Sequence, residues 1–163
     1  LKNARVLELF SGFGFISRMQ SLINPMQVMA LDILSPEQVD QVRIEQGGQP
    51  IRDGFSSHYR KVDLFLPERI RHELLSEIRE FRPEILLVNP PRAGLAPETW
   101  KRLRTECLAE FTGPIIYSSC DAATMARDLA AFAEAGYRCE QIEAFDFFPW
   151  THHFETVSYL VRQ

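Results

Sequence analysis

One of the chain's three cysteines stands apart from the others. Cys120 closes an apolar run, Ile115-Ile116-Tyr117, through Ser118-Ser119. A polar step, Asp121-Ala122-Ala123-Thr124, then opens a helical pattern. A thiol just ahead of a helix feels the positive end of the helix dipole, which favours the thiolate, the nucleophilic form. Read alone, an apolar-flanked cysteine is more often a core residue, and both readings stand at this point. Cys107, in a helical pattern, and Cys139, in a strand pattern, belong to the plainer class. An odd cysteine count at wide spacing makes a poor disulfide framework and points to a reducing compartment. No CxxC pair or His/Cys cluster has ligand spacing, so no metal is expected. The adjacent His152 and His153 would face opposite sides of a strand.

Two further stretches carry residues suited to binding. In "ELFSGFGF" (8–15), Gly12 and Gly14 separate a strand pattern from a helix pattern. Glycine there lets backbone approach a ligand closely and adopt positive φ. A G-x-G step is equally a plain βα turn. Asp32, 18 residues after Gly14 and at the end of the next strand pattern, adds an acceptor for ribose hydroxyls. The pair suits an adenosine-containing cofactor. The missing third glycine of the dinucleotide fingerprint favours S-adenosylmethionine over NAD. In "VNPPRAG" (88–94), two prolines stiffen the turn after a buried strand and hold Asn89 with little mobility. Asn89 and Arg92 are the polar groups that this turn displays.

These positions need a scaffold, and the chain alternates strand and helix patterns to supply one. Strands are expected at 5–10, 27–33, 58–65, 84–89, 115–119, about 137–147 and 155–162. Helices are expected at 15–22, from Pro36, at 67–81, at 96–111 and at 122–135. The 67–81 stretch is the clearest amphipathic helix, with Pro67 at a favoured start and Ile70, Leu74, Ile78 and Phe81 in one stripe. Strands that are apolar throughout mean a mostly parallel sheet with helices on both faces. The last two strands lack a helix between them, so one of them should run antiparallel. Ligands gather at the carboxyl ends of strands in such sheets, and Cys120 falls at such an end.

Composition sets outer limits. With 163 residues, 45% of them hydrophobic and 25% charged, the chain has the makeup of one globular domain with a real core. A net charge of −4 argues against a strongly basic nucleic-acid module, while leaving room for an enzyme that meets RNA through a local patch. No apolar run reaches the roughly 18 residues of a membrane span, and no signal peptide is visible. A cytoplasmic domain belonging to a longer protein is expected, since the first residues run straight into a strand.

Taken together, "NPPRAGL", "SSCDAATMARDL" and "FDFFPWTHHFET" resemble the catalytic domain of the RNA uracil-5 methyltransferases, which make 5-methyluridine in tRNA and ribosomal RNA. The resemblance runs from "ELFSGFGF" to the C-terminus. It implies a Rossmann-like class I fold with a seven-stranded sheet, S-adenosylmethionine as cofactor and RNA as partner. It makes Cys120 the nucleophile and Glu155 the general base. It puts Phe10, Gly12, Gly14, Phe15, Asp32 and Asn89 at the cofactor, and Arg92 and His153 at the RNA. The double histidine in "THHFE" leans towards the tRNA branch.

Three departures keep alternatives open. Asn89 stands for an aspartate, Phe15 for an asparagine, and Asp121-Ala122 for asparagine-proline. "NPP" also suggests an amino-group methyltransferase acting on a base, although Arg92 fills the place of that class's aromatic. A degenerate, non-catalytic domain is the third possibility. Trp150 and Phe154 are either core or stacking faces for a base.

Overall fold

The computed structural model describes residues 4–12, 27–45, 57–147, 149–151 and 154–163. The expected helix at 15–22, with Gly14 and Phe15, and the two adjacent histidines, including His153, lie outside the described residues. Along the chain come β1 (Arg5–Leu9), β2 (Gln27–Asp32), α1 (Pro36–Glu45), β3 (Ser57–Lys61), α2 (67–81) and β4 (Ile85–Val88). They are followed by α3 (97–107), β5 (Ile115–Ser119), α4 (Ala122–Glu134), β6 (Tyr137–Phe145) and β7 (Glu155–Arg162).

The seven strands form one sheet in the order β3-β2-β1-β4-β5-β7-β6. Strands β1 to β5 are parallel. β7 enters between β5 and β6, antiparallel to both. The expected reversal is therefore the work of one inserted strand, and β6 again runs in the direction of β5. The carboxyl ends of β1, β2, β4, β5 and β6 and the start of β7 thus share one edge.

Successive strand residues point to opposite faces, and here both faces are buried. Leu7, Leu9, Leu86 and Val88 enter one core cluster. Val6, Ile85 and Leu87 enter the other. A sheet covered on both sides explains why β4 reads as an unbroken apolar run.

Local signals set the helix starts. At α1 the Gln38 amide N–H donates to the Ser35 hydroxyl at 3.3 Å, while the Gln38 side chain accepts from the Ser35 N–H at 2.9 Å. This is a reciprocal capping box. The α2 stretch is not one regular helix. Its middle, Ile70–Leu74, is a π-helical turn between α-helical Pro67–Arg69 and Leu75–Phe81. The wider turn shifts the buried stripe. Leu74 and Ile78 stay inside, and Glu77 is carried in with them, paired with Arg60. Burial, the largest influence on Glu77, pushes its carboxyl above the usual range. α3 likewise passes from α-helix, Pro97–Arg102, to a π turn at Leu103–Cys107 and stops short of the expected 111.

The helix behind Cys120 is pinned by aromatic packing. Fully buried Phe132 of α4 meets Trp100 of α3 edge-on at 4.6 Å, Tyr117 of β5 at 5.7 Å and Tyr137 of β6 at 6.4 Å. Replacing such a ring by alanine costs about 3–5 kcal/mol. Among the described residues, no helix is long and apolar enough to cross a membrane.

Candidate active site

Cys120 sits in the turn between β5 and α4, free and half-buried. The next residue, Asp121, caps the helix: its backbone is extended, and its carboxylate accepts from the Thr124 N–H at 2.8 Å. That bond, the leading influence, holds the Asp121 carboxyl below its usual range. The Ser119 hydroxyl accepts from the Asp121 N–H at 3.2 Å and tightens the same turn. Of the two cysteines expected in the core, one is there. Cys107 is fully buried in the core, with its thiol pushed up to about 12 by burial. Half-buried Cys139 lies at a bulge in β6, and burial raises its thiol as well.

Glu155 opens β7 and is half-buried. Burial alone pushes its carboxyl above the ordinary range. The pairing of β5 with β7 runs from Ile115 opposite Leu160 to Ser119 opposite Thr156. The ladder stops one residue short of Cys120 and of Glu155, which puts both at the same end of this strand pair, at the sheet edge. On the other flank, Phe145 at the end of β6 pairs directly with Glu155. The Phe145 ring stacks on Phe147 at 5.8 Å, and both are exposed. Sequence reading passed over Phe145 because a phenylalanine near a strand end reads as core. Trp150 and Phe154 are also exposed, so neither is core.

The β4 loop is held from two sides. The Asn89 N–H donates to the Leu9 carbonyl at 3.1 Å, which fixes half-buried Asn89 beside the glycine loop. Arg92 reaches towards Asp121, 3.8 Å away. Gly94 has φ of 72°. A Cβ there would stand 2.3 Å from Thr124 Cγ2 and 2.5 Å from Asp128 Oδ2, so the loop lies directly on α4. Sequence reading missed Asp128, because two of its partners lie 11 and 33 residues away.

The loop after β1 bends through positive φ at Phe10 and Gly12. The Phe10 ring leans edge-on against Phe65 at 5.6 Å. Among the described residues, nothing lies within 4 Å of where a Cβ on Gly12 would stand. Asp32 does more than await a ligand: its two oxygens accept from the Gly12 N–H at 2.8 Å and the Leu34 N–H at 3.0 Å. Each carboxylate oxygen keeps a lone pair for a further donor. One oxygen braces the glycine loop and the other the turn after β2. Among the described residues no group of acidic, histidine and cysteine side chains is arranged to hold a metal.

Residues 54–163 match the family model for tRNA (uracil-5-)-methyltransferase. This chain belongs to the tRNA (uracil-5-)-methyltransferase family. The match takes in the β4 loop, Cys120 and Glu155. Relatives within this group include the 23S rRNA (uracil(747)-C(5))-methyltransferase RlmC of Xenorhabdus nematophila, 43% identical over 79 residues, which are 48% of this chain and 20% of the relative. RlmC of Escherichia coli O1:K1 is 46% identical over 81 residues, 50% of this chain and 20% of that protein. The matched segments thus span about a fifth of these relatives. Among solved structures, the tRNA (uracil-54, C5)-methyltransferase of Pyrococcus abyssi, in complex with S-adenosyl-L-homocysteine, superposes with a TM-score of 0.67 at 24% identity. The superposition covers 99% of this chain and 35% of that one. A ribosomal protein L11 methylase from Lactobacillus delbrueckii subsp. bulgaricus gives 0.59 at 14% identity, covering 100% of this chain and 72% of the other. These likenesses establish the Rossmann-like methyltransferase fold for this member of the uracil-5-methyltransferase family.

Proposed function

We propose that this domain methylates carbon 5 of a uridine in RNA, with Cys120 as nucleophile, Glu155 as general base and S-adenosylmethionine as cofactor. The observation that carries the reading is the β5–β7 register, which runs to Ser119 opposite Thr156, one step before Cys120 and Glu155. Family membership over residues 54–163 supports the same reaction class.

The residues at the β1 and β2 ends fit an adenosine-containing group. No described residue crowds Gly12, and Asp32 stands beside it as an acceptor. Phe10, Gly12 and Asp32 would hold the nucleoside, with Asn89 on the β4 side. When bound, S-adenosylmethionine supplies an electrophilic methyl group. Strands lie about 4.8 Å apart, so a ligand over β1 and β4 ends within reach of chemistry over β5 and β7.

Carbon 5 of uracil is too poor a nucleophile to take that methyl unaided. The Cys120 thiolate adds to carbon 6, and the ring electrons move to give an enolate with density on carbon 5. Carbon 5 would then bond to the methyl carbon as the methyl–sulfur bond breaks, its electron pair remaining on sulfur. Glu155 takes the remaining proton from carbon 5, the 5,6 double bond re-forms, and the thiolate leaves. This is covalent catalysis closed by a general base. A carboxylate raised by burial is suited to that base role, because a base nearer neutral pH removes the proton more effectively. The target base must leave its stack to reach this edge. The exposed Phe145 ring, opposite Glu155, offers it a flat apolar neighbour.

The sequence favours tRNA, whereas the curated relatives are named for 23S rRNA, so the deciding experiment offers both. Full-length protein is incubated with 5-fluorouridine-substituted tRNA and 23S rRNA. Fluorine at carbon 5 blocks the final elimination. A covalent protein–RNA adduct that disappears in Cys120→Ala is the expected result. Normal methylation of uridine by Cys120→Ala would overturn the mechanism.

A further inference from the structure

We propose that Asp128 is a positioning residue that locks the β4 loop, with Asn89 and Arg92, to the turn that carries Cys120; this rests on the methyltransferase reading above. Asp128 lies in the second turn of α4 and is 4% exposed. A carboxyl group so deeply buried must be matched by hydrogen-bond partners, and each of its donors comes from a part of the site.

The Tyr117 hydroxyl donates to Asp128 Oδ2 at 2.5 Å. Tyr117 stands in β5, three residues before Cys120. The Leu95 N–H, from the loop after β4, donates to the same oxygen at 3.1 Å. The Arg127 guanidinium donates to Oδ1 through Nε at 2.9 Å and Nη2 at 2.7 Å. That same Nη2 reaches on to the Ala93 carbonyl at 3.0 Å. One carboxylate therefore ties together the strand ahead of the nucleophile, the helix behind it and the loop beside it. The Tyr117 hydroxyl is held firmly in its neutral, donating form, first by burial and then by its bond to Asp128.

The fit leaves no slack. Gly94 passes so close to α4 that a Cβ would stand 2.4 Å from Arg127 Nη2 and 2.5 Å from Asp128 Oδ2. The same loop carries both candidate site residues that follow β4: Asn89 bonds to the β1 end, and Arg92 approaches Asp121, the neighbour of Cys120. Releasing the carboxylate frees the loop to slide across the helix N-terminus. A shift on the order of 1 Å between reacting groups is enough to cost a hundredfold in rate. Asp128 touches neither thiol nor carboxylate, so its effect passes through the loop.

The experiment compares full-length wild type, Asp128→Asn and Tyr117→Phe. Three quantities are read: kcat and KM on RNA, S-adenosylmethionine affinity by calorimetry, and amide hydrogen exchange. The asparagine keeps the shape but presents an amino group to Arg127 or to Leu95. Its kcat is expected to fall by about tenfold or more, with cofactor affinity changed less than about threefold. Exchange should quicken at 93–95 while β1 and β4 keep their protection. Tyr117→Phe, which loses only the hydroxyl, should fall between the two. Equal kcat in wild type and both variants overturns the proposal. So does a loss that merely follows the folded fraction seen by circular dichroism. Should wild type transfer no methyl to uridine, the functional reading fails by itself. The exchange comparison then decides the clamp, with unchanged rates at 93–95 overturning it.

Discussion

The Thr156 hydroxyl donates a 2.8 Å hydrogen bond to the Ser119 carbonyl, and both residues are buried. This bond joins β7 to β5 at the last paired step before Cys120 and Glu155. The two residues are 37 apart in sequence, and an inserted antiparallel strand brings them together. A slip of one residue would send Glu155 to the opposite face of the sheet. The Thr156 bond and the ladder behind it resist such a slip.

Replacing Cys120, the proposed nucleophile, should leave the fold intact, because it is half-buried in a turn and outside both core clusters. Cys120→Ala is expected to lower turnover by at least about 10⁴-fold, the scale on which loss of a covalent nucleophile is felt. Single-turnover assays with radiolabelled methyl donor measure this, and thermal unfolding should match wild type.

Glu155 predicts a distinct pattern. Glu155→Gln still permits addition and methyl transfer but slows proton removal, so turnover falls by about 10²–10⁴-fold. A protein–RNA adduct on ordinary uridine should accumulate, visible by denaturing gel. An adduct-free, inactive variant would contradict the base role.

The pH dependence follows from the same carboxyl. Burial raises its folded pKa above the unfolded value of 4.5. Between those two values the folded state holds the proton and the unfolded state does not, so Glu155 contributes stability that declines as pH rises through that window. Turnover runs the other way, rising as Glu155 ionises. Urea titrations across pH should lose this slope in Glu155→Gln, whereas an unchanged slope would assign it elsewhere.

Phe145 is expected to act on RNA and not on the cofactor. Aromatic stacking on a base is worth about 1–3 kcal/mol. Phe145→Ala should therefore raise KM for RNA by roughly 5- to 150-fold, with S-adenosylmethionine affinity unchanged. Phe145→Tyr, which keeps the ring, should restore binding.

Gly94→Ala tests the closeness of loop and helix. At φ of 72° an L-residue is strained, and the added methyl would overlap Thr124 and Asp128. Strain of this kind costs about 1–3 kcal/mol before any clash is counted. Thermal unfolding should show the loss, and kcat should fall beyond what the unfolded fraction explains.

Much of this protein was legible as sequence. Strand alternation, the apolar β4 run and helices bounded by Pro67 and Gly136 dictate a layered, mostly parallel sheet, because burial on both faces demands that pattern. The segments around Cys120 and Glu155 were visible as family motifs, since each is contiguous. The π turn in α2 was not, because the shift of Glu77 into the core depends on its pairing with Arg60 from another element. Asp32 reads as a ribose acceptor in sequence, and only the fold reveals that it also braces Gly12.

The residue types that can perform the chemistry, and the alternating units that must carry them, were determined by the sequence itself. Which of those residues meet was decided by tertiary structure alone. Inserting β7 beside β5 sets the Glu155 end against the Cys120 end, and burying Asp128 gathers donors from Tyr117, Leu95 and Arg127. Both events rest on hydrogen bonds between residues far apart in the chain. Such bonds form only once the sheet and α4 have closed around them.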